Sequence, residues 1–458
     1  MHSQTENLGK VAIGPLFAQM ALPIIFGLLV NGLYNVVDAI FVTRGVGALA
    51  MGGVSIVFPL QMFLFSVASM IGSGMASIVA RSLGAKDAKN AELAAGNALW
   101  LGGVFSIITM VLALALLEPI LRMLGATDQL MPYAKTYAVP LILGIPVMTV
   151  SVILGDLLRS EGKVNLMAGL MMLSSLLNIV LDAIFIFVFG WGVFGAAMAT
   201  VCGVCISTSI ASYFYFSGRT SISIHWQALM PKGSMVRGIL VLGLPVMIGN
   251  AGVSVTVGMA NYALAKYAGT NADLLISAYG IIGRVVIFMI LPMIGMMVAF
   301  QTITSFNYGA KLYQRVLATI RIGNGVATVY AGFCAAVMLL IPEKVVGIFT
   351  SDAKLIQEAG SISRIIFLGF VTAGVGIVGS AVFQAMGKAR PAMALSLVRV
   401  FLLTVPLLIV LPYWFGVQGI WMAFPIGDAM AFVIVAVMIG RQYGALGRPD
   451  YQPVQVSH

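Results

Sequence analysis

The most constraining feature of this sequence is a series of apolar segments, each about twenty residues or longer, that recurs along nearly the whole chain. A helix of about 20 residues crosses the ~30 Å hydrocarbon core of a bilayer. The segments are continuously apolar, which excludes the alternating pattern of a transmembrane β-barrel. Only 9% of the residues are charged, too few to cover a water-soluble protein of this length. The sequence therefore predicts an all-α integral membrane protein.

Twelve transmembrane helices are predicted, in two sets of six. Spans 1 to 6 cover about 14–38, 50–80, 92–117, 133–158, 165–190 and 193–216. Spans 7 to 12 cover about 237–264, 273–303, 316–341, 358–386, 391–414 and 417–440. These bounds predict two six-helix bundles, an N-terminal lobe (1–218) and a C-terminal lobe (237–458), joined by a cytoplasmic connector (219–236).

Lysine and arginine are distributed unequally between the two sides of the predicted helices. The two ends of the chain and the even-numbered junctions carry roughly 16 of them and the other junctions roughly 7, and the positive-inside rule then places both termini in the cytoplasm. We expect a multi-pass protein of the inner (plasma) membrane, without a cleavable signal peptide. The net charge of +10 is attributed to contact with membrane lipid rather than nucleic acid, because no basic cluster is interleaved with aromatic residues.

The two halves of the chain match each other at a shift of about 222–225 residues. Five segment pairs occur in the same order: ALPIIFG (21–27) with GLPVMIG (243–249), ARSLGAKD (80–87) with SFNYGAKL (305–312), LGATD (124–128) with IFTSD (348–352), LRSEGK (158–163) with FQAMGK (383–388), and GVFG (192–195) with GVQG (416–419). Six is even, so the copies form a parallel repeat, typical of transporters that expose a cavity on alternate sides. Pro23 and Pro245 occupy matching positions, where they indicate either a fixed bend or one that changes state.

Polar residues form a single stripe on the otherwise aliphatic span 1. Asn31, Tyr34, Asn35 and Asp38 are spaced at i, i+3, i+4 and i+7, so they share one helical face. Charged groups inside a span are costly and usually mark a functional site. By helix rise we expect Asp38 near the outer end of its span, where a helix-end residue near the headgroups is the simpler interpretation.

Two further spans carry polar residues at a similar depth. Asn178 and Asp182 are four residues apart in span 5, and Thr200 follows in span 6. We expect these residues and Asp38 to share one pocket in the outer half of the N-terminal lobe. Two desolvated carboxylates repel each other, which favours uptake of a proton by the pair. The pair could therefore bind a proton on one side of the membrane and release it on the other.

Charged residues also occur elsewhere in the predicted spans, among them Arg284, Arg399, Asp428 and Asp156. Arg399 and Asp428, in spans 11 and 12, could form a structural pair. Arg284 in span 8 and Asp156 near the inner end of span 4 are interpreted as structural or gating residues.

We expect no cofactor and no metal site. The three histidines lie outside the spans, and Cys202 and Cys205 lie within span 6 as small apolar residues. No nucleophile or metal motif occurs in the spans, so an enzyme is the least favoured class.

The sequence resembles the multidrug and toxic compound extrusion (MATE) family over residues 10–440. The resemblance rests on the twelve spans in two similar halves and on four motifs after spans 2, 4, 8 and 10. These are ARSLGAKD, LRSEGK, SFNYGAK and FQAMGKARP. It implies a secondary transporter that exports organic cations and other amphipathic compounds in exchange for H⁺ or Na⁺.

The resemblance also implies roles for particular residues. In the DinF-like/MepA-like branch, which is the most similar, the residues that match Asp38, Asn178, Asp182 and Thr200 are associated with cation coupling. The NorM-like branch has acidic residues in helices 7 and 10, and the central segments NAGVSVTVGMANYALA of span 7 and GVGIVGSAVFQAMG of span 10 contain none here. Coupling through the C-terminal lobe would therefore require Asp428.

Three functions remain open at this point. A proton-coupled exporter of small organic cations or amphipathic drugs is the leading hypothesis, with one chain sufficient as a monomer. A Na⁺-coupled antiporter would use the same oxygen ligands. A flippase for a lipid-linked precursor belongs to a different class. It would need a basic cavity, for which Arg284 and Arg399 are too few.

Overall fold

The computed structural model describes residues 3–218 and 220–448, and within them the chain is helical and contains no strand. In chain order, the first half contains α1 (Ser3–Lys10), α2 (Ile13–Gly45), α3 (Ala48–Gly84), α4 (Ala88–Ala115), α5 (Leu117–Met123), α6 (Met131–Ser160), α7 (Val164–Ala183), a π-helical turn (Ile184–Val188), α8 (Gly192–Phe216) and α9 (Trp226–Leu229). The second half contains α10 (Gly233–Tyr267), a 3₁₀ turn (Gly269–Asn271), α11 (Ala272–Gly309), α12 (Tyr313–Leu340), α13 (Pro342–Val346), α14 (Ala353–Ile366), α15 (Phe370–Ala385), α16 (Ala389–Leu397), a π-helical turn (Val398–Thr404) and α17 (Val405–Leu446).

The helices match the predicted spans. In the described part of the chain, 10 helices are long and apolar enough to cross a membrane, and the bent pair α14 and α15 supplies an eleventh crossing. The longest, Ala389–Leu446, is 58 residues long and breaks at Gly416, where φ is 54°. A left-handed φ favours glycine, which has no Cβ. That helix therefore holds two crossings, and the prediction of a twelve-span all-α membrane protein is confirmed.

The chain divides into two compact units. Within the described residues, unit 1 comprises 3–10 and 22–243, and unit 2 comprises 11–21 and 244–448. The boundaries fall inside α2 and α10, within two residues of Pro23 and Pro245. The prediction that both termini are cytoplasmic concerns residues 1–2 and 449–458 as well, and these lie outside the described residues.

Unit 1 contains a very close helix crossing between α3 and the first part of α10. A Cβ atom added at Gly74 would overlap the carbonyl oxygen of Ile239, and one added at Gly243 would overlap the carbonyl oxygen of Met70. The contact is reciprocal: each glycine faces the backbone of the residue that precedes the other glycine by four positions, which is one helical turn. Small residues are enriched at such contacts in membranes because they let two backbones approach.

The segment between the predicted lobes is held against unit 1 by a buried asparagine of α4. The Nδ2 atom of Asn97 donates to the carbonyl oxygens of Ala228 at 2.9 Å and Met230 at 3.2 Å. Its Oδ1 atom accepts from the backbone N–H of Lys232 at 2.7 Å. Asn97 has no exposed surface, so its amide satisfies polar backbone groups that water does not reach.

Short helices α5 and α13 each carry an exposed, ion-paired glutamate. Lys135 and Arg122 hold the pKa of the Glu118 carboxyl below its usual value. Arg364 does the same for the pKa of Glu343. Both carboxyl groups therefore remain ionised at neutral pH.

Candidate functional site: an acid pair in unit 1

Asp182 lies near the end of α7, and its side chain is completely buried, at 0% exposure. Asn178, one turn earlier on the same face, is 3% exposed. Helix α7 is apolar and places these two polar side chains in the interior of unit 1. A π-helical turn follows at Ile184–Val188. Such π-helical turns are frequent at functional sites.

Asp38 lies well inside its helix. The predicted end of span 1 at about residue 38 is too early, because α2 continues to Gly45, about two turns beyond Asp38. The sequence-based boundary stopped at the carboxylate itself, whereas the next residues, 39–42, are apolar and continue the helix.

The carboxyl groups of Asp38 and Asp182 lie within hydrogen-bonding reach of each other. The Oδ1 atom of each is buried, and neither accepts a hydrogen bond from any residue that the structure describes. Two carboxylates in such contact repel strongly when both are ionised. A proton or another small cation shared by the two groups would remove this repulsion.

Asn178 connects the acid pair to α8. One orientation of the amide turns its nitrogen towards a hydrogen-bond acceptor and its oxygen towards a donor. In that orientation the nitrogen donates to Asp182 Oδ2 at 3.1 Å, and the oxygen accepts from the Thr200 hydroxyl at 3.0 Å. The Thr200 hydroxyl is also 3.3 Å from the carbonyl oxygen of Ala196. Asn178 and Thr200 therefore fix the orientation of the Asp182 carboxyl group.

Two tyrosines border the acid pair. Tyr34, on the predicted stripe of α2, is close enough to Asp38 and Asp182 to interact electrostatically with both. Tyr137 of α6 is 4% exposed, interacts electrostatically with Asp38, and is hydrogen-bonded to Gln61 of α3. Sequence reasoning missed Tyr137 and Gln61, although a phenol and an amide inside apolar spans are the kind of signal that marked Asp38.

The other two residues of the stripe lie at the edge of this group. Asn35 is exposed; its amide nitrogen donates to the carbonyl oxygen of Asn31 at 2.8 Å and its side chain also bonds Tyr34. Within the described part of the chain, Asn31 takes part in this contact through its backbone carbonyl group. The structure therefore brings Tyr34 and Asp38, rather than the whole stripe, to Asp182.

The charged residues predicted in unit 2 have a different arrangement. Arg399 and Asp428 form the expected ion pair, with Nη2 and Oδ1 3.0 Å apart. This pairing leaves Asp428 less suited to replace the acidic residues that are missing from the central segments of spans 7 and 10. Arg284 is exposed and makes no ion pair with a residue in the described ranges. Arg321 of α12 donates to the Tyr443 hydroxyl at 2.8 Å.

Two predicted residues have local structural contacts. Pro23 lies inside α2 and is half-buried. Asp156 of α6 accepts from Arg159 Nε at 2.7 Å, and only 4% of the Arg159 side chain is exposed. Asp156 is thus paired within its own helix.

Comparison with known proteins identifies the family. A family model described as MatE matches residues 23–184 and 239–410. The multidrug export protein MepA of Staphylococcus aureus is 22% identical over 439 residues, covering 95% of this chain and 96% of that protein. MepA of Staphylococcus saprophyticus is 24% identical and covers 92% of both chains.

Solved structures agree over nearly the full length. A multidrug resistance MATE family transporter of the MOP superfamily, in an outward-facing conformation, superposes with a TM-score of 0.90 at 25% identity, covering 96% of this chain and 98% of that one. A MOP superfamily transporter from Pyrococcus furiosus, whose binding pocket has reversed polarity, has the same TM-score, identity and coverage. The family model covers well over half of the chain, so this protein belongs to the MatE family, as the sequence resemblance indicated.

Proposed function

We propose that this protein is a secondary active multidrug exporter, an antiporter that exchanges H⁺ for cationic or amphipathic organic compounds by alternating access. The observation that carries the proposal is the contact between Asp38 and Asp182, with a buried acceptor oxygen on each that lacks a donor. The MepA relatives are multidrug export proteins, which supports the substrate class. All residues of the site come from unit 1 of one chain, which favours a monomer as the working unit.

The chemistry follows from the charge of the pair. An added proton neutralises one carboxyl group, removes the repulsion, and weakens the attraction for an organic cation nearby. Binding of the proton and of the cation are therefore antagonistic, as antiport requires. Moving one charge through the membrane field supplies ~2.3 kcal/mol per 100 mV, which corresponds to a ~50-fold gradient when one proton is exchanged for one neutral substrate.

Sodium coupling at the same pocket is the second candidate. Carboxylate, amide and hydroxyl oxygens suit a hard cation. If the Asn178 amide turned its oxygen towards Asp182, the pocket would gain a ligand for Na⁺. The opposite orientation, in which the nitrogen donates to Asp182, suits a carboxyl pair that shares a proton. The two coupling ions therefore predict opposite orientations of this amide.

Proteoliposomes with a fluorescent cationic dye, ethidium, test the coupling ion. We expect dye transport under an imposed ΔpH without Na⁺, little transport under ΔNa⁺ without ΔpH, and loss of the ΔpH-driven transport in Asp38→Asn. Glu118→Gln is the matched control, since it makes the same carboxyl-to-amide change at an exposed, ion-paired site.

Other outcomes would contradict this assignment. Transport under ΔNa⁺ alone would make the pocket a sodium site. Normal ΔpH-driven transport by Asp38→Asn would exclude Asp38 from coupling. No dye movement under either gradient would favour the flippase alternative.

A further inference from the structure

Unit 2 contains a pocket that is separate from the acid pair. It has a volume of about 350 Å³ and lies where the turn after α10, helix α14 and the second part of α17 meet. Pockets of roughly 300 Å³ or more are large enough to enclose a small organic ligand. All of the lining residues belong to unit 2.

The lining combines one carboxylate with neutral polar and aromatic groups. Glu358 supplies the carboxylate, Asn271 and Gln418 supply amides, Ser361 supplies a hydroxyl, and Trp421 supplies an indole. The other lining residues are aliphatic or alanine, and no lysine, arginine or histidine lines the pocket. Its electrostatic character is therefore that of a single negative charge beside an aromatic ring.

The internal repeat shows that the fold does not require these residues. The matched segments LGATD/IFTSD and GVFG/GVQG align Ala134 with Glu358, Phe194 with Gln418 and Ala197 with Trp421. In unit 1, Ala134 and Ala197 are completely buried in a hydrophobic core cluster. At two of these positions unit 1 thus has a buried alanine, where unit 2 has a carboxylate and an indole beside a pocket.

The Glu358 carboxylate is available to a ligand. Glu358 is half-buried, and within the described ranges it makes no hydrogen bond or ion pair. Glu343, on nearby α13, is instead paired with Arg364 at 2.7 Å. A half-buried carboxylate without a cation from the protein is suited to receive one from a ligand.

We propose that this pocket is a binding site for a small monovalent organic cation. The carboxylate supplies the counter-charge, the Trp421 ring supplies a cation–π contact, and the aliphatic wall accommodates the carbon skeleton. An anion would meet no positive charge here. A divalent metal would meet one carboxylate, far fewer than the six to eight oxygens that Ca²⁺ takes.

Quenching of Trp421 fluorescence tests the proposal. The chain has 5 tryptophans, and the other four, Trp100, Trp191, Trp226 and Trp414, are exposed. Replacing those four with phenylalanine leaves Trp421 as the only reporter in full-length detergent-purified protein. N-methylquinolinium, an aromatic cation that quenches indole on contact, is titrated, and we expect saturable quenching.

Variants of the pocket and of the acid pair separate this site from the coupling site. Glu358→Gln should weaken binding about 10-fold, because the loss of one charge-assisted contact lowers affinity by roughly that factor. Gln418→Phe, which introduces the residue of unit 1, should remove the saturable phase by filling the pocket. Glu343→Gln and Asp38→Asn should leave the affinity unchanged.

Three results would overturn the proposal. These are quenching that rises linearly without saturation, unchanged affinity in both Glu358→Gln and Gln418→Phe, and loss of binding in Asp38→Asn, which would assign the ligand to unit 1. Failure of proton-driven transport would leave this binding result intact, so the two proposals are judged separately.

Discussion

Asp182→Asn is expected to reduce ΔpH-driven efflux by about two orders of magnitude or more, to the level of empty liposomes, because a group that cannot take up a proton cannot couple to one. Asparagine has nearly the same shape as aspartate and can still bond Asn178 and Asp38, so the protein should fold normally. Without an exchangeable proton at this position, dye binding should also lose its pH dependence. Efflux from proteoliposomes and dye titration at two pH values measure both effects.

A matched substitution distinguishes coupling from general damage. Glu118→Gln removes a carboxylate that is 47% exposed and paired with Arg122 and Lys135, so efflux should stay near the wild-type rate. If Asp182→Asn pumped dye at that rate under ΔpH, the acid pair would have no role in coupling.

Gly243→Val is expected to cause the largest loss of stability, about 3 kcal/mol or more. The added side chain would meet the Met70 carbonyl group, which belongs to the helix backbone and cannot move aside alone. Helix α3 and the first part of α10 would have to separate, and the packing between them would be lost. Thermal unfolding of the purified protein, followed by size-exclusion chromatography, measures the change.

Gly249→Val is the control on the same helix. An added Cβ at Gly249 has no atom within 4 Å, so this variant should elute and unfold close to wild type. Equal destabilisation by both substitutions would show that α10 resists any β-branched residue and that the close crossing has no special importance.

The fold was predictable because the bilayer permits few solutions. Lipid cannot satisfy free backbone groups, so each long apolar segment had to be a helix, and most helices begin and end within a few residues of the predicted bounds. The break at Gly416 falls between the predicted spans 391–414 and 417–440, as expected. The bend between α14 and α15 lies inside the predicted span 358–386 and was outside the reach of hydropathy.

The site was predictable only in part. Helical spacing placed Asn178 and Asp182 on one face, and polarity marked Asp38 and Thr200. The approach of α6 could not be read from a single sequence, because Tyr137 becomes a neighbour of Asp38 through tertiary packing.

The pocket around Glu358 was not predicted for a similar reason. A glutamate in the first turns of a helix ordinarily lies in solvent, and only the folded chain shows it beside Trp421. Comparison of the two repeats at that position would have given an early indication.

Proton release from purified protein is the most direct test of the central claim, that the Asp38–Asp182 pair exchanges H⁺ for an organic cation. Because binding linkage is reciprocal, a proton that displaces the cation must itself be displaced by it. Adding saturating ethidium to weakly buffered protein in detergent should release about one proton per protein molecule. The Asp38→Asn, Asp182→Asn double variant should release none. Dye binding without proton release in the wild type, or equal release by the double variant, would contradict the account.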